Sequence, residues 1–301
     1  MDGIDYIVSY IDFSQKEIKD LYREVAGEEY ASNVNSDYLD FTLTLKLILK
    51  NMPFINKLYI TCKDVQKLPE GTDRLIKESN GRIVRVNESE FMPTGFITFA
   101  SNCIEMFLWQ IPSLGEKFIY GNDDMIPLQK MEAYEFFNDG KPIGHANWYE
   151  PQFTSMYNMH ELNATNLIYD RHKNNDNYQE VCCPEHSLRA LTKSICRECY
   201  ERYEPFITAS LYPIRYFNGF NADMFMMYGL RHKLIEDREL PYKYAYYSAT
   251  EENAKALLDK AMNGEEIEDV VCMNDECWIT DDEAAKVKQI LNELMTKLYE
   301  E

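Results

Sequence analysis

The chain has 301 residues, of which 45% are hydrophobic and 13% aromatic, enough to bury one large core or two smaller ones. Its formal net charge is −20, from 51 Asp and Glu against 31 Lys and Arg. That balance excludes a nucleic-acid duplex as partner, which needs clustered Lys and Arg, and a surface that adheres to anionic lipid; its plainest consequence is solubility.

Membrane and export signals are missing from this reading. No apolar run approaches the ~20 residues of a membrane span. The opening MDGIDYIVSY starts with acids instead of a basic n-region, so no signal peptide is expected. A cytoplasmic protein, at most peripheral at the inner face of a membrane, is the expectation.

Ile4–Ile11 (IDYIVSYI) is β-branched and aromatic between Gly3 and Asp12-Phe13-Ser14, which predicts a strand. Ser14 or a neighbour caps a helix running to about Val25. Over Asp37–Lys50, Leu39, Leu43, Leu47 and Ile48 recur at helical spacing, and Asn51-Met52-Pro53 ends the run. Lys57–Cys62 is a second strand, Asp73–Glu78 a short helix and Arg82–Val86 a third strand. This β-α-β-α-β order implies a mainly parallel sheet. Ser101–Gln110 predicts a helix with a Ser or Asn cap, and Lys117–Tyr120 a fourth strand broken at Gly121.

Beyond Pro127 the periodicity weakens. Met131–Phe137 is expected to be a short helix, Asp139–Asn177 a long insertion with loops, and Pro184–Tyr203 a helix opening on Pro-Glu-His-Ser. Tyr212–Tyr216 reads as extended, Ala222–Leu230 as helical and Val270–Met273 as a late strand. Asp281–Leu298 is strongly amphipathic with an acidic first turn, a closing helix.

In open α/β sheets ligands bind beyond the carboxyl ends of the strands. Three predicted strand ends carry acids: Asp12, the pair Asp123-Asp124, and Asp275. Grouped hard oxygens suit Mg²⁺ or Mn²⁺, above all with a diphosphate as co-ligand. A lone Asp-Asp pair is as readily a solvated turn, but the Asn-Asp step at Asn122-Asp123 returns at Asn274-Asp275, each after an apolar strand. His186 precedes an expected helix start, where the macrodipole disfavours imidazolium. It is then either a neutral base or phosphate-side hydrogen-bond partner, or a surface cap. Arg215, between aromatics in YPIRYF, suits a partly buried guanidinium facing phosphate, or an ion pair. The basic residues of Arg189–Arg202 form a groove or a solvated helix face. Cys182, Cys183, Cys196 and Cys199 offer four thiolates for zinc, or four reduced thiols. Adjacent Cys182 and Cys183 chelate one ion poorly, which favours reduced thiols.

Together these residues resemble the Stealth family, whose members transfer a hexose-1-phosphate from a nucleotide-sugar to a sugar hydroxyl. Four blocks match in order: IDYIVSYIDFS; the run from Asp40 through NMPFINKLYITC and TFASNCIEMFLWQIPSLGEKFIYGNDDM; PEHSLRALTKS with Tyr212–Tyr216 after it; and VVCMNDE. The chain departs from the family pattern at Tyr10 (usually Trp), Phe13 (Gly), Thr42 and Lys46 (Arg) and Ala100 (Asn), and one Arg of a pair remains as Arg215.

The resemblance implies an α/β, Rossmann-like (glycosyltransferase A-like) fold, a mainly parallel sheet flanked by helices with a largely helical insertion. It implies one catalytic domain over 1–301: a nucleotide-sugar half (1–130), an insertion with acceptor-side residues (131–250), and a closing strand and helix (251–301). The implied partners are a nucleotide-sugar donor and a sugar or glycan acceptor, with Mg²⁺ or Mn²⁺ as cofactor. The implied roles are Asp124 with Asp275, and Asp123 beside them, on the metal; Arg215 and Lys46 on phosphate oxygens; His186 or Asp123 as base. Asp12 and Thr61 meet the nucleotide, Asn122 and Asn274 complete the metal or sugar site, and Glu105 binds a sugar hydroxyl or supports one that does. The alternatives are a glycosyltransferase releasing nucleoside diphosphate, and a catalytically silent sugar- or nucleotide-binding module.

Overall fold

A computed structural model describes residues 3–27, 38–150, 155–171, 180–274 and 280–300. The chain forms two compact units. One comprises Gly3–Val86, Tyr120–Ala133 and Pro241–Glu301; the other comprises Asn87–Ile119 and Tyr134–Leu240. They are called here the terminal unit and the central unit.

The terminal unit starts with β1 (Ile4–Ser9), α1 (Lys16–Ala26), α2 (Phe41–Asn51), β2 (Ile55–Cys62), α3 (Glu70–Glu78) and β3 (Ile83–Asn87). β1 pairs in parallel with β2, Tyr6 opposite Leu58 and Ser9 opposite Thr61. The central sheet is mainly parallel and flanked by helices, with β4 (Lys117–Asn122), β1, β2 and β3 in that order. Tyr6, Ile7, Val8, Leu58, Tyr59 and Ile60 are fully buried, so the strands read as near-continuous apolar runs. α2 starts late because Asp40 is its N-cap: the carboxylate accepts the Leu43 N–H at 3.1 Å.

Beyond β4, Asp123-Asp124 turns the chain into β5 (Met125–Pro127). β5 pairs antiparallel with the late strand Val270–Asn274, which pairs in parallel with Tyr244–Ser248 on its other side. Helix Glu251–Met262 follows Tyr244–Ser248, capped by Thr250, whose hydroxyl accepts the Asn253 N–H. The closing helix, Asp281–Glu300, packs Val287, Leu291, Leu294 and Met295 onto Leu47, Ile126, Val271 and Met273 in one core.

The central unit departs most from expectation. Ser101–Gln110 is one turn-and-a-half of α-helix (Ser101–Glu105) followed by a 3₁₀ turn (Leu108–Gln110). No side chain caps it at Ala100; the Thr98 hydroxyl instead accepts the Ala100 N–H. Met131–Phe137 holds a single 3₁₀ turn (Ala133–Glu135). The supposed loop region forms strands Lys141–Gly144 and Ala146–Tyr149 and helix Met156–Ile168. Pro184–Tyr203 is not one helix. Val181–Pro184 pairs antiparallel with Ala146–Tyr149, Arg189–Thr192 is a buried strand, and the helix is Lys193–Ala209. Thr192 sets its start by accepting the Ile195 N–H at 3.2 Å. Tyr212–Tyr216 is irregular instead of extended, and the next helix is Asp223–Arg231. Local periodicity could not show these breaks, since short buried strands and helix segments are equally apolar. No helix among the described residues is long and apolar enough to cross a membrane.

At Gly219 an added Cβ would lie 2.5 Å from Asn102 Nδ2 and 2.8 Å from His160 Nε2. Both side chains are buried and bonded to backbone carbonyls, of Phe220 and Tyr216 respectively, so neither yields freely. Gly219→Ala is expected to destabilise the protein by about 1–3 kcal/mol, the usual cost of overpacking, as measured by urea unfolding.

Candidate functional site

The acids of the terminal unit gather at the turn after β4. Asp124 is only 8% exposed. Its carboxylate accepts the Asn274 side-chain amide at 3.2 Å and the Cys272 thiol at 3.5 Å, and its carbonyl accepts the Met273 N–H at 3.0 Å. Residues about 150 positions apart therefore meet because β5 and Val270–Asn274 run antiparallel with Cys272 opposite Met125. Asn122 is held beside them, its side-chain oxygen accepting the Tyr120 phenol at 2.7 Å. Asp123 is half-buried in the same turn. Tyr6 of β1 lies close by; burial first, then Tyr242 and the Asp124 charge, push its phenol far above its ordinary pKa. Asp275 lies outside the described residues.

Three other predicted residues of this unit are engaged elsewhere. Asp12 closes a local turn, accepting the Ser14 N–H and the Gln15 amide, each at 2.9 Å. The buried Thr61 hydroxyl donates to Ser9 across the strand pair at 2.9 Å. Lys46 lies 5.6 Å from the Tyr299 ring centroid, against the closing helix. Each has a structural use that single-residue reading could not show.

A metal fits only sparsely here. Among the described residues, no group of three or more His, Cys, Asp and Glu side chains is arranged to hold an ion. Asp124 offers a hard carboxylate, which accepts the Asn274 amide nitrogen and the Cys272 thiol. One or two carboxylates completed by phosphate oxygens is nevertheless how Mg²⁺ is ordinarily held beside a diphosphate.

The central unit contains a second polar cluster, and its centre was not foreseen. Arg189 Nε donates to Asp223 Oδ1 at 2.6 Å, and both side chains are buried. Tyr157 donates its phenol to Asp223 at 2.8 Å and the Asn221 amide donates at 3.0 Å. Burial alone would raise the Asp223 carboxyl; the Arg189 guanidinium overrides it and holds the group below the usual carboxylate range. Arg189 is thus neither groove nor solvated face.

His186 sits in the bend between two strands, its ring edge-on to Tyr157 with centroids 5.5 Å apart. No helix starts there, so the macrodipole does not keep it neutral. Burial does, helped by the Arg189 charge and opposed by Asp223, bringing its pKa down to about 4. Glu161, fully buried on helix Met156–Ile168, accepts the Tyr149 phenol and, at 2.7 Å, the Cys183 thiol. Burial, then Asp223, push its pKa up to about 7. Glu105 accepts the Ala222 N–H at 2.9 Å, capping helix Asp223–Arg231. Arg215 is exposed, not partly buried, and donates to the Ser101 hydroxyl at 2.6 Å.

The cysteines are spread over this unit. Cys182 receives the Thr165 hydroxyl on its carbonyl, Cys183 faces Glu161, and Cys196 and Cys199 are buried along helix Lys193–Ala209. They form no metal cluster, and burial raises each thiol above its ordinary pKa.

The fold places the chain among proteins with a glycosyltransferase-like architecture. It matches the apo structure of WbbM, a bifunctional glycosyltransferase, with a TM-score of 0.51 and 12% identity, over 99% of this chain and 51% of that one. Residues 34–143 match the family model described as Stealth protein CR2, conserved region 2. The capsular polysaccharide phosphotransferase cps1A of Actinobacillus pleuropneumoniae is 26% identical over 290 residues, 88% of this chain and 76% of that protein. A capsular polysaccharide phosphotransferase of Actinobacillus suis is 30% identical over 144 residues, 44% of this chain and 37% of that protein. The chain thus spans little over a third of that second relative. With the matching blocks from IDYIVSYIDFS to VVCMNDE, these likenesses show that residues 34–143 carry a Stealth conserved region 2 and that most of the chain is similar to a capsular polysaccharide phosphotransferase.

Two measurements follow from the titrations. The His186 imidazole should stay neutral down to about pH 4 in a ¹³C-NMR titration, against 6.5 for an ordinary histidine. Glu161 is protonated in the fold up to about pH 7 but ionises near 4.5 when unfolded, so folding binds a proton between those values. Its contribution is therefore fully present below pH 4.5 and lost as pH rises to about 7. The loss is about 3 kcal/mol at ~1.4 kcal/mol per unit. Glu161→Gln should remove that component from a pH series of urea unfolding.

Proposed function

We propose that the chain transfers a hexose-1-phosphate from a nucleotide-sugar, a UDP-sugar in the first instance, to a hydroxyl of a sugar or glycan acceptor. The setting is synthesis of a capsular or other cell-surface polysaccharide. The observation that carries this reading is the match across 88% of the chain to a capsular polysaccharide phosphotransferase. The acceptor oxygen attacks the β-phosphorus, the bond from that phosphorus to the bridging oxygen breaks, and nucleoside monophosphate leaves. In such transfers, positioning and charge neutralisation supply most of the rate.

Asp124 and Asp275 would hold Mg²⁺, or Mn²⁺, which supplies charge neutralisation at the diphosphate. Asn274 and Asn122 fix the geometry of that turn, Asn274 by its bond to Asp124. His186, neutral over the whole physiological range, accepts the acceptor's proton on a ring nitrogen. Asp123 is the alternative base. Arg215, anchored by Ser101, neutralises phosphate oxygen. Asp12 and Thr61 would meet the nucleotide and Lys46 a phosphate oxygen, beside the contacts each makes within the fold.

The test is incubation with a panel of nucleotide-sugars and acceptor glycans. Nucleoside monophosphate is the expected product; release of diphosphate makes the chain an ordinary glycosyltransferase and overturns the reading. Asp124→Asn and His186→Ala should each lower turnover by about 100-fold or more. The wild type should gain thermal stability with Mg²⁺ and lose activity to EDTA, and Asp124→Asn should show no such gain.

A further inference from the structure

The segment Tyr212–Phe217 combines two properties that rarely go together. Its aromatic side chains are exposed: Tyr216 is 48% and Phe217 50% accessible. Its backbone is nevertheless pinned by buried side chains. Thr98, fully buried, donates its hydroxyl to the Tyr212 carbonyl at 2.6 Å. The Phe99 N–H donates to the Pro213 carbonyl at 2.7 Å. His160, also buried, bonds the Tyr216 carbonyl through Nε2 at 2.8 Å. Asn163 donates to the Phe217 and Gly219 carbonyls at 2.8 and 3.2 Å.

Solvent-facing loops do not need this support, since water satisfies their carbonyls. Here helix Met156–Ile168 and the loop before Ser101 commit polar groups to fixing the backbone beneath exposed rings. The rings form a short row: Tyr212 to Tyr216 centroids lie 4.7 Å apart and Tyr216 to Phe217 6.3 Å. Fixed aromatic faces cost little entropy on binding.

We propose that Tyr212, Tyr216 and Phe217 form a shelf on which the sugar rings of the acceptor glycan stack. Aromatic faces are negative and attract the polarised C–H edges of a pyranose, while phenols reach its hydroxyls. The donor is the poorer fit, because small ligands are enclosed on most sides. An extended chain that continues into solvent needs only an open shelf. Arg215 lies within the same segment, so a phosphate that it neutralises under the proposed function would lie beside the stacked rings. The shelf rests on the transferase reading for its role but not for its binding.

Two experiments separate those dependences. In saturation-transfer NMR with maltohexaose and with an oligosaccharide of phosphodiester-linked hexoses, the wild type should saturate the ring protons of at least one. The Tyr216→Ala/Phe217→Ala variant, truncated only at exposed positions, should lose that signal while its thermal midpoint is unchanged. Equal saturation in the variant, or none in the wild type with either probe, overturns the shelf. In the transferase assay the variant should raise the acceptor KM at least 10-fold and leave the donor KM unchanged. An unchanged acceptor KM also overturns it. If diphosphate is released instead of monophosphate, the function fails while sugar binding to the shelf still stands.

Discussion

A guanidinium and a carboxylate removed from water organise the central unit. Arg189 and Asp223 come from different elements, a short strand and a helix start, and neither tolerates burial alone. Leaving either one unpaired would cost several kcal/mol, so the strand and the helix must meet in this register. Everything polar nearby is set by that pairing. Tyr157 and Asn221 complete the carboxylate's hydrogen bonds, and the edge of Tyr157 frames the His186 ring. The same charges act in opposite senses on their neighbours: Arg189 helps keep His186 neutral, while Asp223 helps keep Glu161 protonated. Two groups with ordinary pKa values near 6.5 and 4.5 thus exchange their usual order.

In the terminal unit the constraint is strand register. Asp124 follows a buried strand, and the antiparallel pairing of β5 with Val270–Asn274 puts Asn274 and Cys272 on its carboxylate. A slip of one residue would turn those side chains to the opposite face. The core between Leu47, Ile126, Val271 and the closing helix prevents that slip.

Much of the terminal unit was legible in the sequence. The β-α-β-α-β order, the strand at Val270 and the closing helix follow from apolar periodicity and from stops such as Pro53. The pairing of Asn122-Asp123-Asp124 with Asn274 was legible as a repeated dipeptide after a strand. The contacts that Asp12, Thr61 and Lys46 make within the fold were not, because residue type alone does not name the partners of a turn carboxylate, a cross-strand hydroxyl and a ring-facing ammonium. In the central unit the reason given for a neutral His186 was wrong: burial replaces the helix terminus. Glu161, Arg189, Tyr157 and Asp223 were missed. Glu161 and Asp223 sit within apolar helices, where one acid reads as a solvated position.

By itself the sequence determined the α/β class, the resemblance to the Stealth conserved region 2 and the run of residues that ends in Asn-Asp-Asp, because these depend on local pattern and on order along the chain. Only the tertiary structure decided which charges are buried together, which histidine stays neutral and which aromatics stand exposed on a pinned backbone. Those properties are sums over neighbours brought together from distant parts of the chain. Desolvation and Coulomb interaction act through space, and residue order carries neither distance nor dielectric.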